Sequence, residues 1–329
     1  MKKIVNRPEK MVTQMLNGIV YAHEEKLDRL PGTGVIYRKT RSKGNVAVVS
    51  GGGSGHEPAH TGFVGKGMLA AAVCGPIFVP PTPEEVFQGI LVSDQGAGVL
   101  LIIKNFEKDV ESFLAGRLLA MDQGHQVAYV IVNDDCSLEE NSFQKRRRGV
   151  AGTVFVHKIL AAAAESGLSL EALKTLGEKV VRASNTLGLA LSPAVVSKEH
   201  QAQFQLAEDE LSFGVGIHGE PGYRIEKLHS SERLAIELVN KLKNHYPLAK
   251  GDQFALVVNG LGGTPLMELY IFTNDVRRLL ELEGIKVVFK KVGNYMTSYD
   301  MKGLSLTFLK VEDDCWLDWL KEPVEAYGW

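Results

Sequence analysis

The chain has 329 residues, 45% of them hydrophobic and 23% charged, an ordinary globular composition at a length that one core seldom serves. With 37 basic and 39 acidic side chains the formal charge is −2, which excludes a basic field for nucleic acid and an acidic solvating tail. No window approaches the ~18 apolar residues of a membrane span. MKKIVNRPEKMVTQ also lacks the apolar stretch of a signal peptide, so a cytoplasmic protein is expected.

In chain order, the first strand pattern is VAVVS (46–50). The helical pattern PEEVFQGILVSD (83–94) follows, then strand patterns VLLIIKN (99–105) and VAYVIVND (127–134). Two helices are predicted over 150–167 and 169–183, the second opened by Ser169. The Ser-, Pro- and polar-rich stretch 183–210 reads as a connection between domains. Beyond it lie a helix over 231–245 opened by Ser231 and Glu232, the strand FALVVNG (254–260), a helix over 265–284 and the strand VVFKKVG (287–293). The strand runs are apolar on both faces, as in buried parallel sheets. The alternation predicts two α/β domains, 1–185 and 186–329, each a largely buried sheet flanked by helices.

SGGGSGHEP (50–58) leaves the first strand, where open α/β sheets gather ligands. No Gly-Lys pair makes it a P-loop, and the last glycine of G-x-G-x-x-G is missing whether counted from Gly51 or Gly53. A loop for a small polar molecule remains, with Gly53, Ser54, Gly55, His56 and Glu57 in it. VLLIIKN delivers Lys104 and, further on, Asp109 to a second strand end, although a lysine and an aspartate there usually mean solvated surface. GVGIHGEP (214–221) sets His218 among glycines, where the backbone can come close to a ligand and leave the ring open.

SGGGSGHEP, LLIIKN with Asp109, RRGVAGT (147–153), FGVGIHGEPG (213–222), NGLGGTPLMELY (259–270) and YMTSYDMKGLSLT (295–307), in this order, resemble the substrate-binding subunit of the dihydroxyacetone kinases. The resemblance implies a homodimeric two-domain α/β protein that holds dihydroxyacetone as a hemiaminal on a histidine. A separate subunit supplies the phosphoryl group, so no cofactor or metal is expected on this chain. Matched by position, His218 is the linking histidine. Gly53 and its neighbours, His56 and Lys104 hold the hydroxyls or the developing oxygen, and Asp109 takes the proton of the hydroxyl being phosphorylated.

Three segments depart from the kinase pattern. K-N-Y-T-G-D is here Lys104-Asn105-Phe106-Glu107-Lys108-Asp109; T-x-G before R-R-G is Gln144-Lys145-Arg146; and F-[TA]-S-P is Phe78-Val79-Pro80-Pro81. Bulk replaces glycine twice, at Lys108 and Arg146, on the side where a donor must approach, and Pro80 removes a hydroxyl and an N–H. Such departures resemble a non-kinase paralogue of this family, and that resemblance implies the expected function: dihydroxyacetone sensing, as a coactivator of a TetR-type transcription factor that switches on the kinase operon. The alternative is the substrate-binding kinase subunit, with a nucleotide-binding subunit as partner; a scaffold with a dead pocket is disfavoured by the intact His218, His56, Lys104 and Asp109. No direct nucleic-acid or membrane contact is expected. The basic run 145–148 reads as a solvated loop or a surface for an acidic partner, and Asp134-Asp135 and EDDCW (312–316) as surface carboxylates. His157 reads as a satisfied core histidine, Cys74 and Cys136 as buried inert thiols, and Trp316, Trp319 and Trp329 as packing or dimer contacts.

Overall fold

The computed structural model describes residues 2–40, 43–137, 147–196, 202–249 and 251–329. They form two compact units. Unit 1 comprises residues 1–132, 153–179 and 319–329; unit 2 comprises 133–152 and 180–318. The chain thus passes between units four times, and the division drawn at 185/186 falls inside a strand of unit 2.

In unit 1, strands β1 (Leu27–Arg29), β2 (Val35–Arg38), β3 (Ala47–Ser54), β4 (Ala71–Ile77), β5 (Val99–Lys104) and β6 (Val127–Val132) form a sheet in the order β1-β2-β4-β3-β5-β6. The last four run parallel, and β1 and β2 add antiparallel. Helices α1 (Met11–Ala22), α2 (Pro83–Ser93), α3 (Glu107–Asp122), α4 (Thr153–Glu165) and α5 (Leu170–Arg182) accompany the sheet. Thr82 starts α2 through a reciprocal capping box with Glu85, and Pro83 takes a position where its missing N–H costs nothing. α4 is buried from Thr153 to Ala164, so it reads apolar all round. Its one cation, Lys158, donates to the Trp319 carbonyl.

In unit 2, β7 (Ser184–Ala190), β8 (Glu210–Phe213), β9 (Arg224–Lys227), β10 (Gln253–Gly260), β11 (Lys286–Gly293) and β12 (Gly303–Lys310) form the order β11-β10-β12-β7-β8-β9. Only β10 and β11 are parallel among these pairs. The remaining helices are α6 (Ser231–Lys243), α7 (Leu266–Leu282) and α8 (Asp314–Lys321), whose last three residues belong to unit 1. Ser230 caps α6, one residue ahead of the expected Ser231.

Both units are α/β with helix-flanked sheets, as the sequence predicts, but three local readings change. The stretch 183–210 is no simple connection: it contains β7, which lies inside the second sheet with every residue buried. The glycines Gly51–Gly53 are the end of β3 rather than loop. The strand at 287–293 is a half-exposed sheet edge. No helix among the described residues is long and apolar enough to cross a membrane, and those residues contain no cluster fit to hold a metal ion.

Candidate functional site

In unit 1, β3 and β5 deliver the chemistry. The final residue of β5, Lys104, is fully buried. Its ammonium donates to the Gly51 carbonyl at 2.7 Å and to Nε2 of His60 at 2.6 Å. An ammonium has no lone pair, so His60 must accept, which places its own proton on Nδ1. Burial, and then the charge of Lys104, push the His60 pKa well below the ordinary histidine value, in keeping with that neutral ring.

Asp109 sits in the first turn of α3, 4% exposed. Burial raises its pKa while Lys104 opposes the shift, and burial lowers the Lys104 pKa while Asp109 opposes that. The result is a carboxylate more basic than usual beside a lysine held in place. Oδ1 of Asp109 has no hydrogen-bond partner among the described residues.

Gly52 explains why glycine is required in this strand. A Cβ there would stand 2.4 Å from Lys104 Nζ and 2.7 Å from Asp109 Oδ1, at a φ of +138° that side chains rarely adopt. The Gly52 backbone therefore lies directly on the lysine–carboxylate pair. Gly53 lies as tightly on the backbone of Phe78 and Val79, and Gly55, at φ +99°, on the Phe78 ring. Ser54 donates to the Gly75 carbonyl at 2.7 Å. His56, fully buried, stacks on Phe78 with ring centroids 5.3 Å apart. Phe78 itself has φ +57°, a true outlier for an aromatic residue. Glu57 caps the Gly55 amide at 3.0 Å, and burial raises its pKa.

In unit 2, residues 214–221 leave β8 as a loop, with His218 half-buried. Glu220 folds back so that Oε2 accepts from the His218 amide at 2.7 Å. Gln203 Nε2 donates to the His218 carbonyl at 3.0 Å. Arg148 reaches the same loop through Glu220 Oε1 at 3.1 Å and the Gly214 carbonyl at 2.8 Å, and ends on Asp135 Oδ2 at 2.6 Å. Arg147 donates to the Asp135 and Asp134 carbonyls and to Asn185 Oδ1. Asp134 accepts from the amides of Val150 and Gly152 and from the Thr186 hydroxyl.

Unit 1 thus brings together Gly53, Ser54, Gly55, His56, Lys104 and Asp109, and unit 2 holds His218. His60, Phe78, Arg148 and Glu220 were not among the expected site residues; the nearness of His60 to His56 and of Glu220 to His218 was the available signal. Several expectations change. Asp134 and Asp135 are buried beneath backbone amides and arginines rather than at the surface. Arg148 binds the Asp135 carboxylate and Arg147 the backbone carbonyls of Asp134 and Asp135, so these two arginines form no solvated run; Gln144, Lys145 and Arg146 lie outside the described residues. His157 is fully buried, yet neither ring nitrogen finds a partner among the described residues. Burial pushes the thiols of Cys74 and Cys136 up to about 12. Trp316 is buried, and Glu312 to Cys315 are exposed as expected.

Fold and geometry define a two-unit α/β protein, with a glycine strand laid over a buried lysine–carboxylate pair in one unit and a braced histidine loop in the other. The chain belongs to the Dak1 domain family, which matches residues 17–328. It is 52% identical to the dihydroxyacetone-binding subunit DhaK of the PTS-dependent dihydroxyacetone kinase of Lactococcus lactis, over 100% of this chain and 99% of that protein. It is 50% identical to the DhaKLM operon coactivator DhaQ of the same organism, over 99% and 100%. Among solved structures it superposes on the co-activator DhaQ with a TM-score of 0.92 at 50% identity, covering 96% of this chain and 97% of that one. On the dihydroxyacetone kinase of C. freundii the TM-score is 0.91 at 34% identity, covering 100% of this chain and 60% of that one.

Proposed function

We propose that this protein binds dihydroxyacetone covalently through His218 and acts as a dihydroxyacetone-sensing coactivator, joining a TetR-type transcription factor to activate the kinase operon. The observation that carries this reading is a preserved binding set behind an altered rim. Lys104 and Asp109 stay buried under Gly52, while the turn holding Asp109 carries exposed Glu107 and Lys108 where the kinases have Thr-Gly.

In the covalent step a neutral imidazole nitrogen of His218 adds its lone pair to the ketone carbon. The carbonyl π pair moves to oxygen, which gains a proton, and the second ring nitrogen loses one; nothing else is released. Only a carbonyl accepts that bond, so glycerol is refused by chemistry, whereas size alone would discriminate by roughly 1–3 kcal/mol. The family pattern assigns the hydroxyls to the backbone at Gly53, Ser54 and Gly55 and to His56, Lys104 and Asp109. The chain itself carries no nucleotide in this reading, pairs with a second copy, and leaves DNA contact to the transcription factor.

The second reading is the substrate-binding subunit of a phosphotransferase-system-dependent kinase. Asp109 supports it: burial makes the carboxylate more basic, as a group that accepts the substrate's hydroxyl proton requires. Relatives named as kinase subunits, such as that of L. lactis, are as similar as the coactivator. Incubation with the triose and a charged nucleotide-binding subunit separates the two. The sensor reading expects triose binding without turnover; phosphoryl transfer at a kinase-like rate overturns it.

A further inference from the structure

Two sequence motifs are left without a role by the residues above: the RRG turn at 147–149 and the Glu-Pro that closes GVGIHGEP. The structure joins them. Arg148 is 14% exposed at its side chain and uses every arm of its guanidinium within unit 2. Nε donates to Asp135 Oδ2 at 2.6 Å, Nη1 to Glu220 Oε1 at 3.1 Å, and Nη2 to the Gly214 carbonyl at 2.8 Å and to Ser137 Oγ at 3.1 Å. The other oxygen of Glu220 receives the His218 amide at 2.7 Å.

The segment from Gly214 to Glu220 is therefore fastened at both ends by one side chain and anchored to the end of the 133–135 segment. Its glycines are shaped to that fastening. A Cβ on Gly216 would stand 1.9 Å from Glu220 Oε1 and 2.8 Å from Arg148 Nη1, so the carboxylate–guanidinium pair is seated on the bare Gly216 backbone. Gly214, at φ +76°, has no room for a Cβ beside Tyr223 and Ser137. A lysine cannot reproduce the fork, which needs donors in fixed directions toward two carboxylates and a carbonyl.

We propose that Arg148, acting through Glu220, is the positioning residue that holds His218 ready for addition to the ketone. The proposal rests on the reading of His218 given above. A nucleophile on a glycine-rich loop would otherwise sample many orientations, and misplacement by about 1 Å costs on the order of a hundredfold in rate. Arg148 touches neither the ketone nor the imidazole in this scheme; it removes freedom from the backbone that carries the ring.

The test uses the full chain as wild type, Arg148→Ala, Arg148→Lys, Glu220→Gln and His218→Ala. Two readouts are taken. Hydrogen exchange of the peptide spanning 214–221 is compared with that of β10. Dihydroxyacetone labelled with ¹³C at the carbonyl carbon is followed by NMR, where adduct formation moves the resonance from the carbonyl to the tetrahedral region. Arg148→Ala is expected to speed exchange of the loop at least tenfold with β10 unchanged, and to slow adduct formation at least tenfold. Glu220→Gln keeps a single acceptor and Arg148→Lys a single charge, so both are expected to fall between wild type and Arg148→Ala. If Arg148→Ala does not fold, those two variants decide on the same readouts. Loop exchange and adduct rate both at wild-type levels in the Arg148 and Glu220 variants, with His218→Ala inactive, overturn the positioning role alone. Absence of adduct from the wild type overturns the His218 reading instead, and in that case the exchange data still report whether the fastening exists.

Discussion

At the scale of single residues, the tightest constraint is on Gly52. An added methyl would meet Lys104 Nζ and Asp109 Oδ1 at distances real Cβ atoms do not show. Gly52→Ala is expected to destabilise unit 1 by about 2–4 kcal/mol, through strain and displacement of a buried charge pair. It should also abolish triose binding; a thermal melt with calorimetric titration checks both. Lys104→Met removes the cation that opposes the burial shift of Asp109, so that pKa rises further. Triose affinity is expected to fall at least tenfold, measured by the same titration. Lys104 was singled out in the sequence only by the resemblance of LLIIKN to the family motif; a cation closing an apolar run reads by itself as solvated surface, so its full burial was not legible. Nor was that of Asp134 and Asp135, because adjacent carboxylates look solvated. The amides that satisfy Asp134 come from Val150 and Gly152, many residues downstream, and no local pattern announces such a pairing.

At the scale of elements, α4 carries the clearest pH signature. His157 is fully buried in it, its ring edge-on to those of His60 and Phe63, and burial lowers its pKa to about 3. The unfolded chain binds a proton at this histidine below about 6.5, whereas the folded one resists it down to about 3. Its contribution is therefore complete above pH 6.5 and is lost progressively as the pH falls from 6.5 toward 3. His60 adds in the same direction. His157→Phe is expected to flatten the fall in melting temperature between pH 6.5 and 5, where one such group accounts for roughly 2 kcal/mol. The helices at 83–93, 153–165, 170–182, 231–243 and 266–282 follow their sequence patterns closely. β7 was hidden because SNTLGLA lacks an apolar run: its polar Asn185 and Thr186 are buried and answered by Arg147, Asp134 and Thr307. Polar residues satisfied by partners outside the strand are what periodicity fails to see.

At the scale of the molecule, the two-fold division of the α/β chain was legible from its length, but the path between units was not. Residues 133–152 belong with unit 2 although they precede α4 of unit 1. Asp134 holds that excursion to β7, and Asp134→Ala would take the carboxylate away from two buried amides, those of Val150 and Gly152, and leave the Thr186 hydroxyl with Thr307 alone. A loss of about 3 kcal/mol or more in unit 2 is expected from denaturant titration. For the same reason, fragments 1–185 and 186–329 produced separately are expected to lack cooperative unfolding, since neither contains one whole unit. Cooperative melting of either fragment contradicts this.

The segment 319–329 closes unit 1, with Tyr327 bonded to Thr61 and stacked on His23, and with the Gly328 amide on the Gly62 carbonyl. A ribosome delivers these residues roughly two hundred positions after the last strand of that unit's sheet. The unit begun first therefore lacks these contacts until the other unit has been synthesised.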